Sequence, residues 1–426
     1  MIKLPKQVHQ VIKTLEGEGW ETYAVGGCVR DSLLGHSPTD WDLATRAEIG
    51  EVLRLLPEAK ILSEKYHVAR IPLDEGNIDL VTFRKEGPYS DRRRPDWTER
   101  VETIEEDLVR RDFTINALAD NPERPIVDPY GGRGDLKDRL IRCVGDPEKR
   151  FNEDPLRMLR AVRLAAELGF DLHKSVFEGI VACRDLAFEL SKDRIRGEFQ
   201  RLINGEHAGK GLRMLMGTGL LAVVTGEETA SRMSRRELDN YETLAENIHK
   251  TMRVPERRLG LFYTTFEEAR ALKALANLEY SGSMEQCLKD AIILSPQVYF
   301  LSNKYDLKRF LIRHGMERYE YVHNLTKAQR IVYDYDEHKI MARTLILEDI
   351  RKYKEPIFIE DLAITGQDLL DGGIAEGEKI GSILLMLVDV VHMKPNLNTK
   401  AQLMKYAKSF SKNKLSAAMR TVRFIK

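Results

Sequence analysis

The amino-acid sequence predicts an α+β protein in which a small mixed-sheet unit precedes a long, nearly all-helical remainder. Between residue 20 and about residue 145, short strand-like runs alternate with helical ones. From about residue 146 onward, apolar residues recur at spacings of three and four, and strand-like alternation nearly vanishes. A length of 426 residues gives the scale: it is about three times a typical domain, enough for two to four packed units.

The elements follow in order. Val8, Val11, Ile12 and Leu15 fall on one helical face among charged neighbours, the pattern of a surface helix and not of a secretion signal. A strand-like run at 23–25 leads into Gly26-Gly27 and a helical stretch to Leu34; 39–43 reads as a strand and 48–56 as a helix. Runs at 68–73 and 78–83 flank Asp74-Glu75-Gly76-Asn77, a hairpin signature. The polar stretch 84–104, with Pro88, Pro95 and the arginines 92–94, is predicted to be a surface loop. Leu156, Leu159, Val162, Ala165 and Leu168 mark a helix that Gly169 ends. Leu369, Leu370, Ile380, Ile383, Leu384 and Leu387 form another apolar helical face. Gly377 and Gly381 there either belong to a packed helix pair or let phosphate approach a helix start.

Composition narrows the class. With 42% hydrophobic and 31% charged residues the chain is predicted to be soluble and globular. Cys28, Cys143, Cys183 and Cys287 lie far apart without metal-ligand spacing, as expected for free thiols in a reducing cytoplasm. The most apolar stretch, 383–388, ends at Asp389, far short of the ~20 residues that span a bilayer. Lys plus Arg and Asp plus Glu are both 67, a net charge of zero. That sum hides a basic end. Residues 398–426 carry Lys400, Lys405, Lys408, Lys412, Lys414, Arg420, Arg423 and Lys426 and no acid, leaving 59 basic against 67 acidic residues before them.

The chemical signal begins at GGCVRDSLLGHSPTDWDLAT, 26–45. Alternation along a strand points Asp40 and Asp42 the same way, with Trp41 and Leu43 opposite. Adjacent carboxylates repel each other unless a cation lies between them, so the pair is either a metal site or a pair of surface acids. Gly26 and Gly27 stand between a predicted strand and helix, where backbone N–H groups can meet phosphate and Arg30 can add charge; a plain tight turn is the alternative. The combination suggests a nucleoside triphosphate whose phosphates meet a divalent metal. Asp79, at the start of an apolar strand, is either a third acid or a strand-end acid beside a turn.

These residues, with RRDFTINAL (110–118), VDPYGGRGDL (127–136) and EDPLRMLRAVRLAAELGF (153–170), resemble the class II tRNA nucleotidyltransferase and bacterial poly(A) polymerase family in order and spacing. The motifs cover close to half the chain. The resemblance implies a polymerase β-like nucleotidyltransferase head (1–145), then a helical neck that selects the base (146–207), a helical body (208–345) and a helical tail that holds tRNA (346–426). It implies that Asp40 and Asp42 hold Mg²⁺ and that Asp79 is the third acidic position. Arg111 would face the nucleotide phosphates and Asp112 and Asn116 its ribose, unless Asp112 caps a helix. Asp128, Gly131 and Gly132 would support the hinge. Asp154 and Arg157 would read the incoming base, and Arg160 and Arg163, on the same slanted stripe of one helical stretch, the triphosphate; a Glu153–Arg157 ion pair is the plainer reading of the charges.

The segment from Ser191 to Glu198 resembles a fifth motif and is expected to be structural, with Ser191 as helix cap. Tyr66-His67-Val68 departs from a family pattern that has glycine at the position of His67, for which packing is expected. The stretch 84–104 resembles the complete loop of relatives that add the final A, and no His-Asp dipeptide of a phosphohydrolase domain occurs. The implied activity is addition of CCA to tRNA from CTP and ATP in the cytoplasm. An enzyme adding A alone, a poly(A) polymerase and a catalytically silent RNA-binding relative are the other readings.

Overall fold

The computed structural model describes residues 2–38, 40–74, 76–226 and 230–412. These fall into two compact units, one built from residues up to 233 with 276–279, the other from 234–275 and from 280 onward.

The first unit begins with helix α1 (Lys6–Gly17), which buries Val8, Val11, Ile12 and Leu15 as their spacing requires. Strand β1 (Thr22–Val25), helix α2 (Gly27–Leu33), strand β2 (Trp41–Thr45), helix α3 (Ile49–Leu55) and strands β3 (Lys60–Ser63), β4 (Val68–Pro72) and β5 (Asn77–Thr82) follow. The strand expected at 39–43 is thus shifted, and Asp40 lies just before it. His67, expected to pack, is exposed and adopts φ +52°, a left-handed conformation that glycine adopts more readily than histidine.

The 84–104 segment departs from the loop expectation. Strands β6 (Arg84–Glu86) and β7 (Thr98–Arg100) form an antiparallel ribbon, with a Lys85–Glu99 ion pair of 3.0 Å. Gly87 makes the ribbon possible, because a Cβ there would lie 2.5 Å from the Trp97 ring. Helix α4 (Ile104–Leu108), strands β8 (Ala119–Asn121) and β9 (Arg124–Val127) and helix α5 (Gly132–Asp138) complete the sheet region. The seven-stranded sheet runs β3-β4-β5-β2-β1-β8-β9. Its one parallel pair, β2 with β5, sets Asp42 beside Asp79. Tyr23, Val25, Phe83, Ile104, Leu108 and Ala117 are buried together as one core.

Helix α6 (Pro147–Glu153) and helix α7 (Leu156–Leu168) were expected as one stretch. They are separate, because Pro155 forces the residue before it out of helical geometry, and Asp154 takes φ −143°, ψ 101°. Asp154 therefore does not share a helical stripe with Arg157, Arg160 and Arg163. Helix α8 (Lys174–Cys183), helix α9 (Lys192–Ile203) and helix α10 (Ala208–Thr218) follow, and α7 packs against α9 and α10 through fully buried Met158, Val162, Ile195, Phe199 and Leu212. Ser191 stands at the N-cap position of α9, but its hydroxyl makes no capping bond. A short parallel bridge of Leu140–Ile141 with Asp171–Leu172 is the remaining strand pairing after residue 146 among the described residues.

The second unit is helical. Helix Gly282–Phe300 packs on Met316–Tyr333 around Leu294, Val298, Leu311, Tyr319 and Val322. Helices Gly366–Asp371 and Glu378–Met393 bury Leu369, Ile383, Leu384 and Leu387 with Leu403, whereas Leu370 of the expected apolar face is 42% exposed. Gly377, at φ +57°, precedes the second of these helices. Of the basic end, Lys400, Lys405 and Lys408 are exposed on the helix Lys400–Lys412, and Lys414, Arg420, Arg423 and Lys426 lie outside the described residues. Among the described residues no helix is long and apolar enough to cross a membrane, and all four cysteines are free.

The α5 turn braces the segment before it. Asp128 accepts from the N–H groups of Gly132 (2.6 Å) and Arg133 (3.0 Å), and a Cβ on Gly132 would meet the Thr114 carbonyl oxygen at 2.2 Å. Gly132→Ala is therefore expected to destabilise the first unit by about 1–3 kcal/mol, measured by urea unfolding.

Candidate active site

A cleft of about 600 Å³ opens in the first unit. Of the sequence-predicted site residues, Gly26, Gly27, Arg30, Asp42, Arg111, Asp112, Asn116, Asp154, Arg157, Arg160 and Arg163 line it; Asp40 and Asp79 do not.

The β1–α2 turn brings backbone to the cleft. Gly26 has φ +79°, and a Cβ there would lie 2.8 Å from Arg111 Nη1, so glycine meets both the conformation and the close approach. Asp42 projects from β2 and is exposed; the protein mass around it still raises its carboxyl above the ordinary aspartate value by loss of hydration, Arg111 opposes this, and Asp79 and Asp40 add to it by like charge. Asp40 is exposed, and its Oδ1 accepts from the Asn77 N–H at 3.3 Å. Asp79 is held by Arg70, opposite it on β4, through Nε–Oδ1 and Nη2–Oδ2 contacts of 2.7 and 2.8 Å. Among the described residues no group of three His, Cys, Asp or Glu is disposed as a ready-made metal site. Two under-compensated oxygen donors nevertheless suit Mg²⁺, which takes one or two carboxylates and completes its shell with water and substrate phosphate.

A polar relay runs along the cleft. Arg30 donates to Asp31 (2.8 and 2.9 Å) and to Asn116 Oδ1 (2.6 Å), and Asn116 Nδ2 donates to Asp112 Oδ1 (3.1 Å). Asn116 ends a 3₁₀ turn, Thr114–Asn116, and Asp112 lies two residues before it, in place of the expected helix start. Asp112 Oδ2 lies 3.1 Å from Arg160 Nε. Burial alone would raise the Asp112 carboxyl; Arg160, the Asn116 amide and Arg157 outweigh it and hold the group below its ordinary value. Arg30 thus braces the relay, and Arg160, 42% exposed, presents the more open guanidinium.

The base-reading candidates come from the α6–α7 break. Arg157 donates to Glu153 at 2.7 Å, so the i, i+4 ion pair is present, and its guanidinium lies 5.8 Å from the Tyr89 ring centroid. Arg163 pairs with Glu167 (2.7 Å) and Glu198 (2.9 Å) and is nearly enclosed.

Sequence reasoning missed the other wall: Tyr66, Arg84, Glu86, Tyr89, Arg93, Arg94, Pro95, Arg110 and Arg201 also line the cleft. Glu86 accepts from Arg84 (2.9 Å), Arg110 (3.1 Å) and the Tyr89 hydroxyl. Buried Asp107 takes Arg110 and Arg111. The alternating acids and arginines of 84–111 were the available signal, hidden by reading the segment as loop.

The cleft is nucleotide-sized and set on a mixed sheet, floored by a glycine turn and an aspartate and walled by arginines. Residues 22–142 match the poly A polymerase head domain family, and 169–231 match the probable RNA and SrmB-binding site of polymerase A. The CCA-adding enzyme of Lactiplantibacillus plantarum is 30% identical over 422 residues, covering 95% of this chain and 96% of that one. That of Geobacillus thermodenitrificans is 38% identical over 231 residues; with it and similar Geobacillus relatives, the chain spans little more than half their length. The crystal structure of the Bacillus stearothermophilus CCA-adding enzyme in complex with CTP superposes with a TM-score of 0.75 at 26% identity, over 97% of this chain and 100% of that one. The chain belongs to the CCA-adding enzyme family.

The raised carboxyl of Asp42 has a thermodynamic consequence. Between the ordinary aspartate value of ~3.9 and the raised one, the folded state binds more proton than the unfolded state, so stability falls as pH rises through that window. Above it the charge carries its cost, reduced by solvent because Asp42 is exposed. Asp42→Asn is expected to raise the Tm of the metal-free protein at pH 8, with the difference from wild type closing as pH is lowered toward 4, measured by calorimetry in chelator.

Proposed function

We propose that this chain adds C, C and A to the 3′ end of tRNA without a nucleic-acid template, using CTP and ATP and releasing pyrophosphate. The observation that carries this reading is the gathering of a glycine turn, Asp42, the Asp112–Asn116 pair and the Asp154–Arg157 pair around one cleft. In this reading residues 1–145 are the catalytic head, 146–207 the base-selecting neck, and 208–345 and 346–426 a body and tail that hold tRNA. The enzyme works in the cytoplasm.

Asp154 accepts a hydrogen bond from the exocyclic amino group, N4 of cytosine or N6 of adenine, and Arg157 donates to the neighbouring ring nitrogen. Uracil and guanine turn a carbonyl toward the carboxylate and an N–H toward the guanidinium, leaving both groups unsatisfied, so one pair admits C and A and rejects U and G. Asn116 and Asp112 offer a donor and an acceptor to the ribose hydroxyls. Gly26 and Gly27, with Arg111, Arg160 and Arg163, face the triphosphate. Asp40 and Asp42 would hold Mg²⁺, with Asp79 as the third acid once Arg70 yields it. Divalent cations bound there supply activation of the RNA 3′-hydroxyl and neutralisation of phosphate charge. The ribbon 84–100, with Tyr89, Arg93 and Arg94 on the cleft, supports a complete C-to-A switch.

The test uses tRNA lacking all of CCA and tRNA ending in CC, each with CTP and ATP. Extension of both by the missing nucleotides is expected; extension of the CC-ending substrate alone would mean an A-adding enzyme. Asp40→Ala and Asp42→Ala are expected to bind tRNA normally and to lose incorporation by at least about 10³-fold.

A further inference from the structure

Asp154 sits at the junction of α6 and α7. It lies between the two helices in extended conformation, outside both helical lattices. One local bond reaches it, from the Leu156 N–H to Oδ1 at 3.1 Å. The stronger hold comes from 40 residues away: Arg194 Nη2 donates to Oδ1 at 3.0 Å and to Oδ2 at 2.9 Å. Both side chains are largely shielded, 18% and 16% exposed, so water screens the pair less than it would a surface bridge. Arg194 is itself fixed. It stands in the first turn of α9, next to fully buried Ile195, and α9 packs along α7.

The count of lone pairs gives this contact a direction. A carboxylate oxygen accepts about two hydrogen bonds. Oδ1 has two donors, Leu156 N–H and Arg194; Oδ2 has one, so Oδ2 retains the capacity to accept from an amino group in the cleft. Arg157 has a separate support in Glu153, so the two halves of the base-reading pair are oriented by different partners.

We infer that Arg194 is a positioning residue that enforces base selection by fixing the Asp154 carboxylate with Oδ2 free for the incoming base. This rests on the reading of Asp154 as a base-reading group. The segment 191–198 is then more than a helix start: it carries the residue that makes the acceptor rigid. A carboxylate free to rotate can turn away from a carbonyl and tolerate uracil or guanine; one that is held cannot.

The test compares wild type with Arg194→Ala, Arg194→Lys, Asp154→Ala and the Arg194→Ala/Asp154→Ala double variant, assayed well below the Tm of the least stable. The readouts are KM and kcat for CTP and the ratio of kcat/KM for CTP over UTP, on tRNA lacking CCA. Arg194→Ala is expected to lower that ratio on the order of 10- to 100-fold, mainly through KM for CTP, and Arg194→Lys to recover part of it. In the double variant the ratio should equal that of Asp154→Ala, because Arg194 acts through that carboxylate. If Asp154→Ala collapses the ratio while Arg194→Ala leaves it at the wild-type value, or lowers only Tm, the inference is overturned and Arg194 is a structural brace. If Asp154→Ala itself leaves the ratio unchanged, the base-reading role falls and the inference with it.

Discussion

Ten arginines crowd around one cleft, and everything else in the first unit answers to that crowding. Like charges this close repel, and a guanidinium removed from water without a partner costs several kcal/mol. The fold meets the problem with interleaved carboxylates: Asp107 between Arg110 and Arg111, Glu86 between Arg84 and Arg110, Glu153 on Arg157, Glu167 between Arg163 and Arg201. Each acid cancels part of the repulsion and also pins the arginine in one place. The positive groups of the cleft are therefore already oriented, and little reorganisation is needed for an anion to enter. Zero net charge over the whole chain is compatible with this, because a sum over 426 residues does not say where the arginines gather.

Much of the site was legible in the residues, for reasons that differ by element. Gly26 and Asp42 announce themselves because strand, turn and strand are short and local, so spacing translates directly into position. The Asp112–Asn116 pair was legible as a pair but not as a 3₁₀ turn, since that geometry depends on the α5 turn pressing Gly132 against Thr114. The ribbon at 84–100 was missed because its proline- and arginine-rich sequence lacks hydrophobic alternation; its pairing depends on an ion pair and on the ring of Trp97 lying over Gly87. Arg194 was read as part of a helix start because its partner lies 40 residues away and no local pattern encodes that contact.

The break at Asp154-Pro155 shows how one residue reassigns a whole stripe. Periodicity alone puts Asp154 in line with Arg157, Arg160 and Arg163. Proline instead ends α6 and lets α7 restart, so the acid leaves the helical lattice and needs a distant arginine to hold it. The three arginines stay on α7 and divide by environment, Arg157 against Glu153 and Tyr89, Arg160 toward Asp112, Arg163 enclosed between two glutamates. Equal spacing in sequence has produced three unequal surroundings.

The parallel pairing of β2 with β5 also bears on how the molecule comes into being. Adjacent antiparallel strands can zip from a turn, but a parallel pair must wait for the intervening chain to fold and swing back. Here that chain is α3 and the β3–β4 hairpin, so Asp42 and Asp79 can become neighbours only after it has returned to the sheet. Asp154 and Arg157 lie further along, and Arg194 further still. A chain emerging from the ribosome thus presents Asp40, Asp42 and Asp79 before Asp154 and Arg157, and the Arg194–Asp154 contact forms only once α9 has docked.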